Sequence, residues 1–188
     1  MNPAALRDLV LAQVSFFGFL LVAALLTDQG FMNNHGPSYY GEHVRTAVPF
    51  GLGLALSAGF TWRAAVHLDE PFAQALRVLA VLFLLDLATP DTVDGAFYWT
   101  HVAVSAALFP LELGIAAAIV HARRAPVLIV LLAVQLAAGL VAMFSQLHAI
   151  GFLSEGIVAY QLAFGLLLIV AAARPAEGLV GAAPNTAP

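Results

Sequence analysis

One glutamate stands inside an apolar run of this 188-residue chain, and histidines and acids gather near the ends of other runs. Glu112 lies nine residues before His121, which places it roughly 13 Å into a bilayer at a rise of ~1.5 Å per residue. Gln135 lies nine residues beyond Pro126 on the returning segment. It reaches the same depth and is expected to pair with Glu112 across the hairpin. Gln13, Ser57 and Gln161 also fall near mid-depth, which predicts one polar layer drawn from several helices. Pro110 removes the amide that would bond the Ala106 carbonyl and predicts a kink beside the acid. A carboxyl at that depth is expected to be neutral and hydrogen-bonded. Its role is then either a structural bond to Gln135 or to a freed carbonyl, or that of a proton-carrying or ligand-binding group.

His101 precedes Glu112 by eleven residues, three helical turns, so His101, Ser105, Leu108 and Glu112 share one face. His148, Glu155 and Asp86 fall at the same outer level, with Glu42 and His43 in the loop able to fold over them. Arg45 is the natural partner there for a phosphate or carboxylate. The candidate binding set is therefore Glu42, His43, Arg45, Asp86, His101, Glu112, Gln135, His148 and Glu155. Within it, His101, His148, Glu155 and Asp86 offer the nitrogen and oxygen ligands that suit zinc or another divalent ion. The spacing lacks the paired-histidine motifs of helix-borne metal sites. Haem between His101 and His148 ranks last among the cofactors such groups allow.

These residues need a membrane to hold them. Apolar residues make up 62% of the chain and charged ones 10%, with a mean hydropathy of +0.93, well beyond the ~45–50% apolar share of soluble domains. Runs long enough to span occur at about 5–27, 47–66, 72–89, 97–120, 126–147 and 150–172. The fold class expected is all-α, a bundle of six transmembrane helices in one domain over residues 1–175. An ordered outer loop over about 28–46 and a disordered tail over 176–188 complete it. Pro49, Pro71, Pro90, Pro126 and Pro175 fall at or near run ends, where a missing amide proton costs least. The first run is too long for a signal peptide and lacks a small-residue cleavage site, so it is retained. Gly53 with Ser57, Ala55 with Gly59, and Gly114 with Ala118 stand four apart and predict close helix contacts. Tyr39 and Tyr40 are expected as interfacial anchors at the headgroup level.

All seven basic residues are arginine. Threading the runs in order puts Arg7, Arg63, Arg77, Arg123, Arg124 and Arg174 on one side, with Arg45 alone on the other. Positive loops are retained in the cytoplasm, so both termini are expected inside. The outer side then carries Asp28, Glu42, Asp86, Asp91, Asp94 and Glu155. Absent cysteine and lysine exclude disulfides, thiolate sites and Schiff-base chemistry. A net charge of -4 argues against nucleic acid as a partner. Ala, Leu, Val and Arg without Lys fit a GC-rich genome and the cytoplasmic membrane of a bacterium. The partners expected are membrane lipids, and another membrane protein or a second copy. Three functions follow in order: binding a lipid or small apolar ligand or a membrane partner in an outward-facing polar cavity; a metal-dependent enzyme acting on a lipid-like substrate at the outer face; and a proton-coupled carrier using Glu112.

Overall fold

The structure is a computed structural model that describes residues 2–28, 36–89, 95–148 and 151–173. Residues 29–35 of the expected outer loop, Asp91, Asp94, Arg174 and the tail over 176–188 lie outside the described residues. Every described element is a helix: α1 (Pro3–Leu25), α2 (Tyr39–Glu42), α3 (Val44–Ala65), α4 (Phe72–Ala88), α5 (Ala96–Arg123), α6 (Pro126–His148) and α7 (Leu153–Ala173). Helices follow from the composition, because a lipid-facing backbone can satisfy its polar groups only within its own segment. Among the described residues, α1, α5, α6 and α7 are long and apolar enough to cross a membrane, and this fits an integral, multi-pass membrane protein. At 17 residues α4 is short. The 22-residue α3 is long enough, but Arg45, Thr46, Ser57, Thr61 and Arg63 dilute its apolar character.

The ends follow local chemistry. Asn2 caps α1 by accepting from the Ala4 amide at 2.9 Å, with Pro3 at the first helical position. Arg124 closes α5 in the left-handed region, φ 46° and ψ 28°, and its amide donates to the Val120 carbonyl at 2.8 Å. Pro126 then opens α6. One expectation needs correction: α3 begins at Val44, three residues before the predicted run, so Pro49 lies inside the helix. The start is held instead by Thr46, whose Oγ1 donates to the Tyr40 carbonyl at 2.6 Å and the His43 carbonyl at 3.2 Å.

Two apolar clusters organise the bundle. At the arginine-bearing end, Leu9, Ala64, Ala65, Ala73, Leu76, Ile119, Leu128 and Ala171 converge from all six long helices. At the other end, Leu20, Ala23, Ala24, Phe50 and Leu54 surround Tyr40 of α2. Leu9 shares one cluster with Ala64 and Leu20 shares the other with Phe50, so α1 and α3 run antiparallel. They share the most extensive interface, α6 and α7 the next, and α7 also reaches α1 and α5.

Lipid tails are as apolar as leucine, so these contacts depend on close backbone approach rather than on exclusion of water. Gly53 of α3 sits where a Cβ would come within 2.8 Å of Phe19 Cβ on α1. Gly156 of α7 sits where a Cβ would come within 2.7 Å of the Ala142 amide nitrogen on α6. Of the three small-residue pairs expected from spacing, Gly53 and Ser57 are buried, whereas Gly59 and Gly114 have nothing within 4 Å of a Cβ position.

Candidate functional site

The inward face of α5 carries the polar row that its periodicity implied. Leu108 and Glu112 are buried, and His101 and Ser105 above them are half-buried. Glu112 is completely enclosed, and the Gln161 amide nitrogen of α7 donates to its Oε1 at 3.1 Å and its Oε2 at 3.0 Å. The acid is therefore held across α5–α7, and the expected Glu112–Gln135 bond is replaced by Glu112–Gln161. Counting along the helices gives both amides the same level as Glu112. What decides between them is rotation about the helix axis, and α7 packs on α5 as well as on α6.

Gln135 is as buried as Glu112, and its amide makes no hydrogen bond of ordinary geometry among the described residues. It faces the Tyr160 hydroxyl. That hydroxyl donates to the Phe109 carbonyl at 2.6 Å, and the Tyr160 ring lies 4.7 Å from that of Phe109. Gly139, one turn beyond Gln135, gives the Tyr160 ring its seat. On the other side of α7, a side chain at Gly165 would overlap the Gln13 amide of α1. Of the layer expected from several helices, Glu112 and Gln161 are bonded, Gln135 faces the neighbouring Tyr160, Gln13 lies against Gly165 of α7, and Ser57 is buried on α3.

Toward the opposite end, Ser105 Oγ donates to Asp86 Oδ1 at 2.8 Å, and His101 Nδ1 lies 3.4 Å from the same oxygen. His101 and Asp86 are the two members of the proposed metal set that the structure brings together. His148 is exposed and stacks on Phe144 one turn back, centroids 6.0 Å apart. The Glu155 carboxylate oxygens are buried without a hydrogen-bond partner among the described residues. No three His, Asp or Glu side chains among the described residues are placed to hold a metal ion.

The loop residues belong to the α2–α3 corner. His43 Nδ1 is 2.8 Å from the Tyr39 carbonyl, with its ring 4.1 Å from that of Tyr39. Glu42 ends α2, and Arg45 is exposed in the first turn of α3. Tyr40 is 1% exposed against Phe50 rather than at a headgroup surface, because α2 folds its ring into the bundle.

Sequence reasoning missed Asp8. It is fully buried near the arginine-bearing end, where Arg7 Nη2 lies 3.0 Å from Oδ1 and Arg63 Nε 3.5 Å from Oδ2. The signal was its position among Ala5, Leu9 and Ala12, the buried residues of α1. The described cavity is an open groove of about 500 Å³ between α4 and α5, lined by Leu82, Ala96, Trp99, Thr100, Ala103, Val104 and Ala107. It is apolar and lies on the outer flank of α5, away from Glu112. Compared with protein families, characterised proteins and solved structures, the chain matches none.

Proposed function

We propose that the chain is a six-span protein of the bacterial cytoplasmic membrane, with both termini inside, that carries a small molecule in exchange for a proton held on Glu112. The observation that carries this reading is the enclosed carboxyl bonded by Gln161 inside an apolar helix, with the Gln135 amide beside Tyr160. An ionisable group at membrane depth that faces the bundle interior is expensive to keep and typically marks a proton or substrate path. Gln161 and Gln135 supply amide donors and acceptors for a polar solute, and Glu112 supplies the exchangeable proton.

The test is proton exchange on binding. Purified protein in weakly buffered detergent solution is titrated with a panel of small polar solutes while solution pH is followed. Wild-type protein is expected to release or take up about one proton per solute bound, and Glu112→Gln to bind without any proton change. Binding with the same proton change in Glu112→Gln would overturn the reading.

A second reading has its own observation. The α4–α5 groove is open and apolar with Trp99 at its edge, which fits a lipid chain or small apolar ligand. Trp99→Ala is expected to weaken such binding and leave the Glu112 site untouched.

A further inference from the structure

The arginine-bearing end of the α1–α3 pair holds a cluster that the Glu112 reading does not use. Asp8 is 0% exposed, and its carboxylate meets Arg7 from its own helix and Arg63 from α3. Arg7 approaches side-on, with Nε at 3.1 Å and Nη2 at 3.0 Å from Oδ1. Arg63 approaches through Nε alone, while its guanidinium carbon lies 5.7 Å from the Phe60 ring centroid. Arg7 is thus held by a hydrogen bond to the buried carboxylate, and Arg63 by a looser ion pair with its other oxygen and by the Phe60 ring. Their side chains remain 59% and 56% exposed. The terminal nitrogens of Arg63 make no hydrogen bond among the described residues.

Two guanidinium charges against one carboxylate leave one positive charge at this point. A phosphodiester carries one negative charge, and its two free oxygens match the planar fork of arginine. The site lies where α1 begins and α3 ends, the level at which a membrane-spanning pair meets lipid headgroups. We infer that Arg7 and Arg63, pinned by Asp8, form a binding site for the phosphodiester of an anionic phospholipid. The inference rests on the membrane reading of the chain and is independent of Glu112. Asp8 acts here as a positioning residue: it selects the arginine rotamers and brings the local charge to the value one phosphodiester neutralises.

The test uses the full chain in detergent, with phosphatidylglycerol, phosphatidylcholine and inorganic phosphate as separate probes. Bound lipid is counted by native mass spectrometry, and stabilisation is read as a shift in the thermal midpoint. Wild-type protein is expected to retain phosphatidylglycerol and to gain thermal stability from it, with less effect from phosphatidylcholine. Arg63→Lys keeps the charge and loses the fork, and is expected to bind phosphatidylglycerol at least about tenfold more weakly. Arg123→Gln, at the same end but outside the cluster, is expected to bind as wild type. Equal binding by Arg63→Lys and wild type, or an equal loss in Arg123→Gln, would reduce the effect to general surface charge and overturn the assignment. Binding of inorganic phosphate as tight as that of the lipid would overturn the choice of a lipid phosphodiester. Should Arg63→Lys fail to fold, Arg7→Lys carries the same comparison. None of these readouts involves proton exchange, so their failure leaves the Glu112 proposal standing, and the reverse holds too.

Discussion

Glu112 shows what a residue count can and cannot supply. Depth follows from counting along a helix, so Glu112, Gln135 and Gln161 are all legible as members of one layer. Direction about the axis depends on which helix packs where, and chain proximity favours Gln135 on the adjoining hairpin arm over Gln161. The bond to Gln161 makes a specific demand. Glu112→Gln keeps a donor and an acceptor at the site and is expected to unfold at nearly the wild-type denaturant midpoint. Glu112→Ala leaves Gln161 unsatisfied in a low-dielectric interior and is expected to cost ~1–3 kcal/mol. A double-mutant cycle with Gln161→Leu measures the coupling between the two. A larger coupling to Gln135→Leu than to Gln161→Leu would restore the α5–α6 pairing.

Helix placement was the more legible element, because apolar runs, prolines and length fix it with little help from packing. The runs expected at 47–66 and 97–120 correspond to α3 over Val44–Ala65 and α5 over Ala96–Arg123. The small-residue pairs were not separable in the same way. Gly53, Gly59 and Gly114 look alike in sequence, yet only Gly53 faces a partner, since a four-residue spacing says nothing about which side of the helix is covered. Gly156→Ala drives a methyl into the Ala142 backbone and is expected to destabilise the α6–α7 pair by ~1–3 kcal/mol. Gly59→Ala and Gly114→Ala enter open space and are expected to stay within ~0.5 kcal/mol of wild type or to stabilise. Equal costs at Gly156 and Gly59, measured by unfolding in detergent, would contradict the close approach of α7 to α6 at Gly156 and Ala142.

At the scale of the whole molecule, membrane character was plain from composition, and the four most apolar helices carry it. The proposed arrangement of six spans depends on α3 and α4, some of whose polar residues face into the bundle. Ser57 and Thr61 are buried within it, and Asp86 pairs with Ser105 and His101. Arginine asymmetry then predicts both termini inside and the segment over residues 28–46 outside. Reporter fusions or protease protection should reach that segment from the outside alone. Labelling of it from the cytoplasm would invert every side assigned here, while leaving the Glu112 and Asp8 contacts as they are.

Glu112 is made on α5, but the amide that holds it arrives on α7, and so does the glycine that seats Gln13 of α1. A chain grows from its N terminus at ~5–20 residues per second. For several seconds after α5 leaves the ribosome, its carboxyl therefore has no Gln161 to meet, and the α1 amide has no Gly165. The seventh helix thus completes two polar contacts whose other halves are made on α5 and α1. A chain that stops before α7 is expected to leave the Glu112 carboxyl without its amide partner, and an unsatisfied buried polar group costs ~1–3 kcal/mol.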